Sequence, residues 1–139
     1  MPSLVAIRDA VLAIRKNKFP DLSVEGTAGS FFKNPILSKS ESDVLEQKYP
    51  DMPVFEMPET SGVKVPLAWI LDKALHLKGF PVCGASGVGG ARLFEKQPLV
   101  VAAARGTSAR NVLELKDVVA KKVFDECGII LEPEVKIIF

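Results

Sequence analysis

Pro98-Leu99-Val100-Val101-Ala102-Ala103 is an apolar run of strand length, and Thr107-Ser108 follows it at the start of a long helical pattern. Either hydroxyl can accept the unpaired N–H groups of a first helical turn. Val112, Leu115, Val119 and Phe124 then form an apolar stripe, and Gly128 supplies a left-handed stop. The tail reads as strand again, in Ile129-Ile130-Leu131 and Val135-Lys136-Ile137-Ile138-Phe139. This is the one place where a long helix lies clearly between two strands, so a parallel doubly wound sheet is disfavoured. The pattern predicts an α+β fold, with helices packed on one face of a small, mostly antiparallel sheet.

Further toward the N-terminus, Pro66 opens a second helix with Leu67, Ile70, Leu71 and Ala74 on one side, and Gly79 stops it. Phe80-Pro81-Val82-Cys83 reads as a short strand before a glycine-rich run, Gly84 to Gly90. At the start of the chain, Ser3 caps a helix whose Leu4, Ile7, Val11 and Ile14 share a face. Lys16 and Lys18 suit its negative C-terminal end, and Pro20 ends it. After Pro20 a loop runs through Gly26 and Gly29 to Pro35, and Ser42-Asp43-Val44-Leu45-Glu46 is one short helix. Tyr49 to Gly62 holds Pro50, Pro53 and Pro58 and reads as an irregular surface loop.

The bulk composition excludes several classes. The 139 residues are 47% apolar and 25% charged, enough for one domain with a sizeable core. A net charge of +1, with Lys and Arg spread along the chain, argues against nucleic acid as a partner. No apolar run reaches the ~20 residues of a membrane span, and no secretory leader pattern opens the chain. Cys83 and Cys127 are in no metal-ligand spacing and read as free thiols of a cytoplasmic protein; no metal site is expected.

Chemistry-bearing residues are few. Gly84 to Gly90 lacks the following Gly-Lys-Ser/Thr of a phosphate loop and reads as a turn. His76, the sole histidine, falls near a helix end, where an exposed imidazole is ordinary. The segment Gly29-Ser30-Phe31-Phe32-Lys33-Asn34-Pro35 is more unusual, because two adjacent Phe in a loop must fold back and pack. Such a loop can hold Ser30 and Asn34 rigidly, although Ser30 can equally satisfy local backbone groups. Glu134 stands beside large apolar residues in the tail, and on residues alone an exposed strand carboxylate serves as well.

Together these segments resemble the UDP-N-acetylenolpyruvoylglucosamine reductase family. Gly29 to Pro35 is similar to its signature. Ile14-Arg15-Lys16-Asn17-Lys18-Phe19-Pro20-Asp21 resembles the basic helix end before that signature. Trp69-Ile70-Leu71-Asp72, Leu77-Lys78-Gly79-Phe80, Lys96-Gln97-Pro98-Leu99-Val100 and Leu131 to Ile138 follow in the family's order. The likeness covers residues 1–139 as one domain, the family's C-terminal substrate-binding domain. The flavin-holding domains that precede it in the family have no counterpart here. Two stretches depart from the family: Ala102 to Gly106 replaces Asn-rich sequence, and Gly84 to Gly90 lacks the usual polar residues.

The resemblance implies a chemistry. NADPH reduces an FAD, which passes a hydride to UDP-N-acetylglucosamine enolpyruvate; protonation on carbon gives UDP-N-acetylmuramate for peptidoglycan. It implies that Ser30 is the proton donor and that Glu134 stabilises the enol, in an apolar strand setting. Lys18, Asn34 and Gln97 fall at substrate-contacting positions. The implied partners are the substrate and the upstream FAD-binding domains. No cofactor is expected on this chain by itself, which is expected to be inactive alone. The alternative is a non-redox UDP-sugar binding module descended from the same domain.

Overall fold

A computed structural model describes residues 1–81 and 89–138. Most of the glycine-rich run, together with Val82 and Cys83, lies outside the described residues. Helix α1 spans Leu4–Lys18, with Ser3 accepting the Ala6 N–H at 3.1 Å and Phe19 as its C-cap. Strand β1 (Gly26–Ser30) follows, then β2 (Ile36–Leu37) and helix α2 (Lys39–Lys48). β3 (Phe55–Met57) and β4 (Gly62–Lys64) make a hairpin. A helical turn α3 (Leu67–Trp69) continues as one π-helical turn, Ile70–Ala74. β5 (Ala91–Leu93), β6 (Val100–Ala103) and the long α4 (Ala109–Cys127) complete the order.

The class is α+β and the pairing is antiparallel throughout, but the strands divide into two small sheets rather than one. The first is ordered β1-β6-β5 and the second β2-β4-β3. The core lies between the sheets and the helices. Leu115, Val119 and Val123 of α4 join Leu67, Ile70 and Leu71, Val65, Leu93 and Val101 in one buried cluster. Each such side chain removed from water contributes about 1.5–3 kcal/mol.

Helix α4 keeps its expected ends. Ser108 accepts the Asn111 N–H, Asn111 caps back onto Ser108, and Gly128 turns left-handed at φ 68°. Its buried stripe differs by one residue: Val123 is sealed, whereas Phe124 is 52% exposed. The i, i+4 succession Leu115–Val119–Val123 keeps one face to the core, and position 124 has rotated about 100° past it.

Five expectations change. The Gly26-to-Pro35 loop begins as β1, which pairs with β6 through a bulge at Ala28, where Thr27 Oγ1 donates to the Val101 carbonyl at 2.7 Å. Tyr49 to Gly62 is not irregular throughout, since Met52 is buried and Phe55–Met57 pairs with β4. The helix expected to run to Gly79 ends at Ala74; the Leu77 N–H returns to the Leu71 carbonyl at 2.7 Å, and His76 is left-handed at φ 53°. Phe80 and Pro81 form no strand. Up to Ile138, the last described residue, the tail forms no strand either. It makes one isolated bridge, Phe32 to Pro133, because the Phe31 N–H that the next rung would need is given to the Leu99 carbonyl instead.

Leu115→Ala should cost about 2–5 kcal/mol of stability, the range for emptying a sealed aliphatic site. Phe124→Ala should stay within about 0.5 kcal/mol, as for a surface side chain. Urea denaturation of both variants checks which face of α4 is buried.

Candidate functional site

The adjacent Phe31 and Phe32 are only 2% and 4% exposed, and their rings meet edge to face with centroids 5.3 Å apart. This burial fixes the backbone between them and lets it tie three segments together. The Phe31 N–H donates to the Leu99 carbonyl at 2.9 Å, and the Phe31 carbonyl accepts the Glu134 N–H at 2.8 Å. One step further on, the Lys33 N–H donates to the Glu132 carbonyl at 2.9 Å.

Ser30 is therefore held from both sides. It ends β1 opposite Val100 and is exposed. Gln97 lies in the turn that leads into Val100, half-buried, with its amide oxygen accepting the Leu99 N–H at 3.4 Å. Glu134 follows the Phe32–Pro133 bridge. It is exposed, in a bend beside the bridge, and not on an apolar strand as expected. Ser30, Gln97 and Glu134 thus gather at one end of the first sheet, around the backbone of Phe31.

Lys18 and Asn34 stand further from this group. Lys18 is the last residue of α1 and is exposed. The next residue, Phe19, packs against Phe94, Val100 and Ala102, which carries the helix end toward the same sheet. Asn34 has a structural duty: its amide oxygen accepts the Leu67 N–H at 2.9 Å. Pro66 caps α3 without any side-chain acceptor, so Asn34 supplies it from a distant segment.

Charges frame the site. Lys33 pairs with Glu132, and this hydrogen bond, then the charges of Glu132 and Glu134, raise the Lys33 ammonium above its ordinary value. On β5, Arg92 grips Glu25 with two hydrogen bonds, one at 2.9 Å, and also holds Glu95. These partners keep Arg92 more firmly protonated than usual, against the cost of its burial. Arg105 donates to the Ser23 and Val24 carbonyls at 2.8 and 3.3 Å. Arg92 and Arg105 together brace the segment that enters β1.

A cleft of about 530 Å³ is lined by Lys33 to Leu37, Glu41, Gly128 to Ile130 and Glu132. It borders neither Ser30, Gln97 nor Glu134, whose surface is open. A shallower cavity of about 340 Å³ joins Asn34 to Phe55, Lys64 and Pro66. Phe55 faces Lys64 across the hairpin and is half exposed. Neither residue was legible as a site in the sequence, where Phe55 stands alone in a proline-rich stretch. No group of three or more potential metal ligands occurs among the described residues. Of the glycine-rich run only Gly89 and Gly90 are described. Both are left-handed, and a Cβ on Gly90 would come within 2.7 Å of Thr107 Oγ1, so this end is a tight packed turn.

Residues 21–138 match the model of the family described as UDP-N-acetylenolpyruvoylglucosamine reductase, C-terminal domain. The chain belongs to this family. UDP-N-acetylenolpyruvoylglucosamine reductases from Bacteroides fragilis and Pasteurella multocida are 37% and 40% identical to it, covering 98% and 95% of the chain. One from Neisseria gonorrhoeae is 39% identical over 92% of it. The chain spans 35–39% of the length of these relatives. Among the described residues no helix is long and apolar enough to cross a membrane.

Within this reductase domain, Asn34 should prove structural. Asn34→Ala should lower stability by about 1 kcal/mol, as for loss of a helix cap. Asn34→Asp keeps the acceptor and should stay closer to the parent in urea denaturation. The Arg92 cluster predicts a pH dependence. The hydrogen bond from Arg92 lowers the Glu95 carboxyl below its ordinary value of 4.5. A lowered carboxylate stabilises the fold above its unfolded pKa, and that stabilisation is lost as pH falls through the folded value. Glu95→Gln should therefore be less stable than the parent near neutral pH, and the gap should narrow below about pH 4.5. Thermal melts at about pH 7 and pH 3 measure it.

Proposed function

We propose that this domain carries the substrate-binding and proton-delivering part of a flavin-dependent reductase that converts UDP-N-acetylglucosamine enolpyruvate to UDP-N-acetylmuramate in the cytoplasm. The observation that carries the reading is the pinning of Ser30 and Glu134 to one another through the backbone of Phe31. A hydroxyl is a weak acid, so it serves as a proton donor only when held against a strongly basic carbon. Family membership and the shared names of the relatives support the substrate class.

The two clefts described above do not border Ser30. Flavin binding is assigned, as the family resemblance implies, to the portion of the reductase that precedes this domain. When bound there, reduced by NADPH, the flavin supplies the hydride. The residues of this chain handle what remains. Ser30 gives its hydroxyl proton to the carbon next to the carboxylate, and its exposed position lets solvent restore that proton. Glu134 hydrogen-bonds the enol oxygen, which localises the developing charge. Lys18 attracts the anionic diphosphate or carboxylate, while the amides of Gln97 and Asn34 fix polar groups. Phe55 and Lys64, which line a cavity with Asn34, offer an aromatic face and a cation there. Because Ser30 and Glu134 lie open, substrate and the preceding portion must cover them to exclude water.

The test uses the whole reductase that contains this domain, with its two half-reactions followed by stopped flow. Ser30→Ala should leave flavin reduction by NADPH nearly unchanged. It should slow oxidation of the reduced flavin by the enolpyruvyl substrate by roughly 10²-fold or more, the scale for losing a positioned acid. Glu134→Gln should also act on the second half-reaction alone. Equal slowing of both half-reactions by Ser30→Ala, or of neither, overturns the assignment.

A further inference from the structure

α1 carries a seam of Leu4, Ile7, Val11 and Ile14, and no residue of the helix is buried. Exposures along the seam run from 47% at Val11 to 86% at Leu4, and Val5 and Leu12 beside it are more than half exposed. A fifteen-residue helix without tertiary cover is marginal in water. Its attachment to the body is at its C-terminal end. There Phe19 packs on Phe94, Val100 and Ala102, Arg15 lies 5.4 Å over the Phe19 ring, and Pro20 is buried.

What covers the seam is indicated by where the family boundary falls. The C-terminal domain match begins at residue 21, immediately beyond α1 and its exit. The Bacteroides fragilis reductase nevertheless aligns with 138 residues of the chain, so its counterpart of α1 precedes that domain. The chain covers 39% of that relative, which leaves most of the reductase on the other side of the helix. We infer that α1 is a docking helix. Its seam seats in an apolar groove on the portion of the reductase that precedes the C-terminal domain, and this seating fixes the position of Lys18.

A second copy of this chain fits the seam less well. The spacing of Leu4, Ile7, Val11 and Ile14 amounts to two heptads, and a sustained coiled coil needs about three to four. Arg8 and Arg15 flank the seam one heptad apart, so an antiparallel pair would set like charges against each other. The same two arginines favour a groove with an acidic rim. Lys18 closes the helix, and Phe19 rests on Val100, the β6 residue opposite Ser30. A shift of α1 in its groove would therefore move the ammonium relative to the proton donor.

The inference rests on the proposed reading of the chain as one part of a two-part reductase, but its test reads only α1. Hydrogen exchange of residues 4–18 is followed in the 139-residue chain. It is also followed over the matching stretch of the whole Bacteroides fragilis reductase, and in a chimera in which this chain replaces that relative's matched region. Amides of α1 should exchange about 100-fold more slowly in the relative and the chimera than in the chain by itself, as expected when a frayed element becomes buried. Ile7→Glu with Val11→Glu in the chimera should return them to fast exchange while flavin stays bound. Fast exchange of this stretch in the whole relative overturns the inference. So does a concentration-dependent dimer of the 139-residue chain that Val11→Glu abolishes, which would make a second copy the occupant. Failure of Ser30→Ala to affect protonation would leave these outcomes unchanged, so the two readings fail separately.

Discussion

The burial of two adjacent phenylalanines is the constraint on which the rest of the molecule depends. Phe31 and Phe32 both enter one buried cluster, their rings edge to face, and this fixes the backbone between them. Both the N–H and the carbonyl of Phe31 are then turned outward to neighbouring segments, Leu99 on one side and Glu134 on the other. An unpaired buried backbone group costs about 1–3 kcal/mol, so these partners are obligatory once the rings go in. The candidate site is thus a by-product of packing. The backbone at Glu134 is drawn to the residue after Ser30 because the backbone beside two aromatic rings has to be satisfied.

That logic also explains what a reader of the sequence could and could not see. The helix from Ala109 to Cys127 was legible because nineteen residues of one period, a serine cap and a glycine stop all agree. The packing of Phe31 and Phe32 was legible because exposing them would be costly. Strand β1 was not, since Gly26-Thr27-Ala28-Gly29-Ser30 has no apolar alternation. Its pairing energy comes from β6, a partner more than seventy residues away, and from a threonine that closes the bulge.

The tail misled in the opposite direction. Its Ile and Val residues favour extended structure, but the Phe31 N–H that would continue the ladder is already donated to Leu99, and a single bridge survives among the described residues. The Phe55–Lys64 hairpin was hidden by three prolines that in fact flank β3 rather than interrupt it. For the site residues, sequence could suggest which side chains carry chemistry. It could not show that Asn34 also caps α3, or that Glu134 lies in the open, because both facts depend on contacts between segments.

The single bridge at Pro133 separates two kinds of stability. The body is held by a continuous core and two sheets. The terminal segment is held to Phe31 and Lys33 by two backbone hydrogen bonds, the exposed Lys33–Glu132 ion pair and the partial packing of Leu131 and Val135. Peeling it away costs far less than unfolding the domain, and such openings are sampled by folded proteins independently of the global transition. A calorimeter would see an intact protein while Glu134 had let go of the Phe31 carbonyl. For this domain, thermal midpoint and integrity of the site are different quantities, and solvent or sequence changes at the last ten residues would alter the second without registering in the first.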